Sequence, residues 1–523
     1  MAQECDVLVV GAGPVGLMLA LMLRKQGIAC RIIDKMSVRQ GYCKALGIQP
    51  RTLEVWDDMG IINPMINQGL CFKENRVFQD GKEIHANPIS LPELPFGFLS
   101  LPQFKLEDML VNEVQELGIV VEQGVELVSF EQSENTVAVV LKNNHTGDSE
   151  TVHFSYLIAC DGAHSQVRKL LGIDFEGGKF PQYFMLADVR VTWDYEHPVT
   201  YRFGYHDDSF ENTVVFVPYR GDRRFRISTT VPESMLADII DGKPTMKQFA
   251  TILEKAVPVT VKLDDLRWSS MYQISHRIVN QYSLGRVFLA GDAAHIHPPV
   301  GGQGLNTGIQ DVYNLAWKIA LVLKGRAKTE LLDSYHEERH PVGLDVVHRT
   351  HERMQAKHHA DSDAHYALLV NSQTLINYQD SSLSKGQVLS DKACKPGDRA
   401  PDVSMLKRDI FNFPVRLFDV LRGHKFNLLV YTDSEAVLGV AESLQHKLGV
   451  FMETSLIAPQ GFQPENTTLP LLTDLDNNFK ATYQMKPGNA CLVRPDNYIA
   501  WCSEQLNEQD LIAWFCINGF VVR

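Results

Sequence analysis

The stretch Val7-Leu8-Val9-Val10-Gly11-Ala12-Gly13-Pro14-Val15-Gly16 constrains this chain more than any other, because it turns a β-branched run through glycines into an apolar segment. Val7–Val10 has the length and branching of a buried strand, and Leu17–Leu23 is apolar at helical length. Cys30-Arg31-Ile32-Ile33 repeats the strand pattern and stops at Asp34. Strand, helix and strand in that order make a βαβ unit, which requires a parallel sheet. Gly11, Gly13, Pro14 and Gly16 form the turn that lets a pyrophosphate approach the helix N-terminus. Asp34, with Lys35 beside it, stands about twenty residues further on, where an acid accepts hydrogen bonds from a ribose hydroxyl. The motif alone is weak, but in this context it reads as a dinucleotide site, with FAD and NAD both open.

At 523 residues the chain is too long for one ordinary domain, and roughly 150 residues per domain predicts about three. A net charge of −13 argues against a nucleic-acid partner, which would need a Lys/Arg-rich face. The nine cysteines show no C-x-x-C pair and no zinc spacing, so reduced thiols and no metal are expected. The histidines at 348, 351, 358 and 359 share helical spacing but lack a carboxylate motif, and an exposed charged helix accounts for them. Val7–Leu23 carries no charge, yet acids precede it and glycines interrupt it, which fits neither a leader nor an anchor. A cytoplasmic protein without membrane contact is expected.

Leu106–Leu117 reads as helix, and 120–140 as alternating strands ended by the turn at 143–148. Between Phe184 and Trp268 the pattern is mostly strand, with Val214–Val217 and Phe225–Ser228 flanking the hairpin signal Gly221-Asp222. Gly285–Lys324 returns to strand, glycine-rich turn and long helix, and a polar link near 380–400 precedes a last domain.

Two later stretches bear on the dinucleotide. Leu157–Arg168 contains Asp161-Gly162, and Gly285–Gly308 contains Gly291-Asp292, Pro298-Pro299 and Gly301-Gly302-Gln303-Gly304-Leu305-Asn306. Together with the first motif these resemble the D-G and G-D motifs of class A flavoprotein monooxygenases, the aromatic hydroxylases. The resemblance covers nearly the whole chain. It implies an α/β fold: a Rossmann-like FAD-binding domain in 1–175 and 276–393, an interleaved antiparallel substrate sheet in 176–275, and a thioredoxin-like domain in 394–523. FAD contacts are implied for Asp161, Gly162, Arg168, Gly291, Asp292, Pro299, Gly302, Gly304, Leu305 and Asn306. Lys44-Ala45 is similar to the family's Arg-Ala phosphate contact, with lysine in place of arginine, and Gln103 to its flavin-contacting glutamine.

The resemblance further implies NADPH, or NADH, as a transient electron donor, since only one nucleotide fingerprint is present. It implies O2 and a phenolic or polyketide-like substrate as partners, with the flavin C4a-hydroperoxide as oxygenating agent. Pro299 is expected to turn its carbonyl to the reacting centre, while Tyr272, Arg226, Tyr219 and His297 are candidates for orienting a phenol, each equally readable as packing. No two tryptophans stand one residue apart, which separates the chain from the flavin halogenases. A Baeyer–Villiger or epoxidising enzyme is the alternative, and a non-catalytic flavin-binding protein is the reading from another class. The last domain lacks a thioredoxin redox pair, so a structural or homodimer-supporting role is expected of it.

Overall fold

The computed structural model describes residues 5–39, 41, 43–205, 212–355, 363–408, 410–465 and 467–522; His358 and His359 lie outside these. Parallel strands Val287–Leu289, Tyr156–Ala159, Val7–Val10, Cys30–Asp34 and Val121–Gln123 lie side by side in that order, with Ser283–Leu284 antiparallel at one edge. Val7–Val10 and Tyr156–Ala159 are buried at every residue, as strands covered on both faces must be. Helices α1 (Pro14–Lys25), α2 (Pro50–Asp58) and α3 (Gln103–Glu116) share one core with this sheet. The charge-free Val7–Leu23 is therefore a strand, a glycine turn and most of a helix. No helix among the described residues is long and apolar enough to cross a membrane.

The second sheet has eight strands, in the order His295–Ile296, Lys262–Val279, Phe175–Thr192, Arg224–Thr230, Thr213–Pro218, Val199–Gly204, Glu74–Gln79 and Lys82–Pro88. The hairpin read at Gly221-Asp222 forms with Val214 opposite Thr229. Two features differ from the sequence reading. The hairpin Glu74–Pro88 joins this sheet from far upstream, because Val199–Gly204 offers it a parallel edge. Helix α4 (Met246–Ala256) interrupts the strand-rich stretch and opens on a capping box, in which Thr245 accepts from the Gln248 N–H and Gln248 Oε1 accepts from the Thr245 N–H at 2.7 Å.

Side chains alternate across a sheet, so its two faces have different fates. The back face, with Met185, Ala187, Val189, Phe216, Phe225 and Ile227, closes a core against Phe249, Ile252 and Leu253 of α4. The front face carries Phe184, Leu186, Asp188, Val215, Val217, Arg226, Ser228 and Tyr272 by the same register.

Helix α5 (Gly304–Leu323) is buried from Asn306 through Leu321 and packs on α1; α6 (Asp333–Gln355) follows it. The final domain joins parallel strands Phe426–Tyr431, Met452–Pro459 and Leu471–Asp474 to an antiparallel pair, Ala490–Val493 and Ile499–Ser503. Helices α7 (Leu438–Leu448) and α8 (Glu508–Ile517) pack on one another. Cys491 and Cys502 face each other on the antiparallel pair, and their mutual hydrogen bond and burial push the Cys491 thiol well up, which makes it a poor nucleophile.

Candidate functional site

The parallel strands end level, since Val10 is in register with both Ile33 and Ala159, and Ala159 with Leu289. Residues 11–16, 34, 161–162 and 291–292 therefore emerge along one carboxyl edge, although the chain separates them by up to about 280 positions. Val7–Val10 sends the chain to Cys30–Asp34 on one side and has Tyr156–Ala159 on the other. A switch of direction of this kind opens a crevice beyond the strand ends, where open α/β sheets bind their ligands.

Each glycine of the first turn has a separate reason. Gly11 has φ +100°, and a Cβ there would lie 2.5 Å from the Cys160 carbonyl. At Gly16 a Cβ would lie 1.9 Å from the Gly11 carbonyl, so only glycine lets α1 pack this close. A Cβ on Gly13 would meet nothing within 4 Å and would project into open space. That is a cradle left free in front of a helix N-terminus, and it fits a pyrophosphate. Pro14 opens the helix behind it. Asp34 accepts from the Ala12 N–H and the Met36 N–H, both at 2.9 Å, so it fixes the glycine turn and retains a lone pair on each oxygen. Lys35 beside it is exposed.

Asp161 caps a short helix, accepting from the Gln166 N–H at 2.7 Å, while its Oδ1 is buried without a partner and burial raises its pKa. Gly162 has φ +81° with nothing within 4 Å of a Cβ. Asp292 is surrounded by protein yet exposed to water, as a side chain lining a deep cleft is. That enclosure pushes its pKa up, and His295 and Lys44 pull the other way. In α5, Thr307 donates to Gln303 O at 2.9 Å, so the N–H groups of Gly304, Leu305 and Asn306 precede the first intrahelical bond.

Several candidates are placed differently from the expectation. Arg226, considered for orienting a phenol, spends its donors inside the protein: Nε and Nη2 on the Asp188 carboxylate at 2.9 Å, and the rest on Cys43 O and Lys44 O. It clamps the sheet to the Lys44 segment with four of its five N–H donors. Asn306 likewise uses its side chain as a staple, accepting from the Gln49 N–H and donating to Gly47 O and Gly302 O, which leaves its backbone N–H for the cleft. Gln103 accepts from the Ala45 N–H at 3.0 Å and donates to Glu107, so it holds Ala45 and Lys44 in place. Arg168 donates to Ala293 O and Ala163 O and lies over the Phe175 ring, tying two loops together. Tyr219 packs with Cys43 and Leu46 as core.

Pro299 is exposed, but its carbonyl accepts from the Gly302 N–H at 3.0 Å and closes a turn in place of standing free. Gly301 and Gly302 have φ +76° and +64°, which suits glycine, and Gly302 lies close to Gly47. His297 holds Pro298 O with Nδ1, its Nε2 has no partner, and burial lowers its pKa to about 4. Tyr272 is half-buried on the front face beside Phe184, its hydroxyl against Ser228.

Sequence reasoning missed the residues that hold the loops. Gln49 donates to Gly301 O and Gly302 O, and Gln303 accepts from Gln373 Nε2 at 2.6 Å. Asp311 accepts from the Gly291 N–H at 3.0 Å and from His295 Nε2 at 2.8 Å. Only the helical offset of Asp311 from the glycine loop signalled it, and acids stand at that offset in many helices that hold no loop. His351, one of the helical histidines, packs against His276 with ring centroids 4.3 Å apart and the rings tilted by 48°.

Comparison with known proteins adds to this geometry. Residues 4–350 match a family model described as FAD binding domain, and 394–515 one described as aromatic-ring hydroxylase, C-terminal. The chain is similar to a flavin-dependent monooxygenase of Mycobacteroides abscessus, 34% identical over 439 residues that cover 81% of this chain and 88% of the other. It is 31% identical to pentachlorophenol 4-monooxygenase of Sphingobium chlorophenolicum, covering 100% and 98%, and 30% identical to 6-methylpretetramide 4-monooxygenase of Streptomyces rimosus, covering 96% and 91%. Among solved structures, aklavinone-11 hydroxylase in complex with FAD and aklavinone matches with TM-score 0.80 at 25% identity over 99% of both chains.

Proposed function

This chain belongs to the FAD-dependent aromatic-ring hydroxylases and is an FAD-dependent monooxygenase, and from that membership we propose that it oxidises NADPH and places one oxygen atom of O2 on a planar phenolic or polyketide-like substrate. One observation carries the reading: the glycine turn, Asp34, Asp161-Gly162 and Gly291-Asp292 line a single strand edge, and Arg226 on the front face of the antiparallel sheet holds the Lys44 segment that acts on Asp292. Relatives named for pentachlorophenol and 6-methylpretetramide, and a neighbour holding aklavinone, support an aromatic substrate.

FAD, when bound, supplies the route for electrons from the nicotinamide to dioxygen. The chain's residues bind, orient and exclude water. The turn at Gly11–Gly16 would take the pyrophosphate, with Lys44 as a cation near it, and Asp34 and Asp292 would accept from sugar and ribityl hydroxyls. The N–H groups at the start of α5 would stabilise negative charge on a flavin held in the cleft. Phe184, Leu186, Val215 and Val217 give the substrate side an apolar wall that keeps water out. Tyr272 is the hydroxyl on that wall for orienting a phenol. His297 is a neutral ring at pH 7 because burial lowers its pKa, so it serves as an acceptor.

We assign 1–175 and 276–393 to the FAD-binding domain and 176–275, with the hairpin Glu74–Pro88, to the substrate sheet. The thioredoxin-like reading of 394–523 is supported by its βαβ unit, following hairpin and closing helix. A cytoplasmic location is supported by cysteines that are all free among the described residues. The test is a screen of phenols for stimulated NADPH oxidation under 18O2, with products weighed by mass spectrometry. One labelled oxygen on the ring is expected; label drawn from water, or no stimulation by any planar phenol, would refute the proposal.

A further inference from the structure

The Arg494–Tyr498 turn of the C-terminal domain reaches the cleft loops through buried polar groups, linked by one cation–ring contact and by the start of α2. Arg494 grips Glu338 of α6 through two hydrogen bonds of 2.5 and 2.9 Å, and Asp496 through two of 2.9 and 2.6 Å. Lys318 and Asn314 of α5 also donate to Glu338, at 2.8 and 2.6 Å, and Asn314 reaches Asp496. These side chains are almost wholly buried, and their charges cancel: two cations, Arg494 and Lys318, against two anions, Glu338 and Asp496.

Two routes lead from this cluster to the cleft. On the first, Arg494 lies over the rings of Tyr378 and Tyr498, the Tyr378 hydroxyl accepts from Arg339 at 3.0 Å, and Arg339 donates to Asp311 at 2.8 Å. Asp311 in turn holds Gly291 and His295, on either side of Asp292. On the second, the Asp496 carbonyl accepts from Arg51 of α2 at 2.8 Å, and Arg51 pairs with Glu54. Gln49, just before α2, holds the carbonyls of Gly301 and Gly302.

We propose that the Arg494–Tyr498 turn is a positioning element of the flavin site, holding both the 291–297 loop and the 299–303 loop in the geometry that binds FAD. The inference rests on the assignment of FAD to the cleft. Nothing in the turn touches that cleft; it acts through α2, α5 and α6. The C-terminal domain therefore sets cofactor affinity and potential as well as filling out the fold.

Two variants test it in the full chain. Tyr378→Phe removes one oxygen and keeps the ring. Glu338→Met with Arg494→Met removes a cation and an anion together and leaves Lys318 and Asp496, opposite charges bridged by Asn314, so the buried cluster keeps no net charge. FAD dissociation is followed by the fluorescence of released flavin, and the midpoint potential by dye equilibration. The expected result is FAD retention weakened about two- to thirty-fold in both variants, with a shifted potential. Parent-like affinity and potential in both, whatever happens to the melting temperature, overturns the proposal, because a turn that only stabilises the fold would move melting alone. Asp292→Ala runs in parallel. If it alone loses FAD, the inference fails and the cleft assignment stands; if all three variants keep FAD as the parent does, both fall.

Discussion

Neighbouring acids on α2 sit in different surroundings. Asp57 lies between Arg416 at 2.8 Å and Arg422 at 3.0 Å. Asp58, one position on, is buried and accepts from the Tyr313 hydroxyl at 2.9 Å, and its burial raises its pKa to about 7 against the pull of Tyr313 and Arg422. The folded protein thus keeps a proton on Asp58 that the unfolded chain releases near its ordinary value. The contribution to stability is fully present at low pH, below the unfolded pKa, and is lost as pH rises towards about 7. Asp58→Asn cannot ionise, so at pH 8 it should be more stable than the parent by roughly 4 kcal/mol, with no gain at pH 4. Thermal melts at the two pH values decide this; an equal gain at both would show that the carboxyl is not held protonated.

Strand Val7–Val10 and α1 form a unit in which adjacent glycines carry separable duties. Gly13 has ordinary φ and free space, whereas Gly16 is pressed on the Gly11 carbonyl. Gly13→Ala should leave the apoprotein's melting temperature close to the parent's and weaken FAD, because the added methyl enters the cradle. Gly16→Ala should cost about 1–3 kcal/mol of stability, since α1 must move away from its strand. Calorimetry beside FAD titration separates the two; a Gly13→Ala protein that binds FAD as the parent does would remove the pyrophosphate from this turn. This unit was legible from residues 7–34 because strand period, glycine turn and terminal acid are all local. Helix α4 was as local, with its Thr-x-x-Gln start in plain view at 245–248, and was obscured by the β-rich stretches on both sides.

At the scale of the molecule, the C-terminal domain shares its core with the long helix of the FAD-binding domain. Trp317, Leu321, Ala327 and Leu331 pack in one cluster with Phe426, Leu428, Val430 and Phe515. Ending the chain at residue 393 would expose that face and strand Glu338 and Lys318 without Arg494 and Asp496. Such a truncation should be recovered mainly as aggregate, read by the soluble fraction and light scattering; a monodisperse, FAD-retaining 1–393 protein would contradict the shared core. The amino-acid sequence by itself determined the parallel sheet, the glycine turns, the strand-end acids and the family, because each depends on residues a few positions apart and on the period of their side chains. The tertiary structure decided which polar groups remain free for a ligand. Arg226 is taken by Asp188 and Cys43, Asn306 by Gly47 and Gly302, and Asp311 is recruited to Gly291. A guanidinium or an amide has a fixed number of donors, and which partners consume them depends on faces that meet only when distant segments pack.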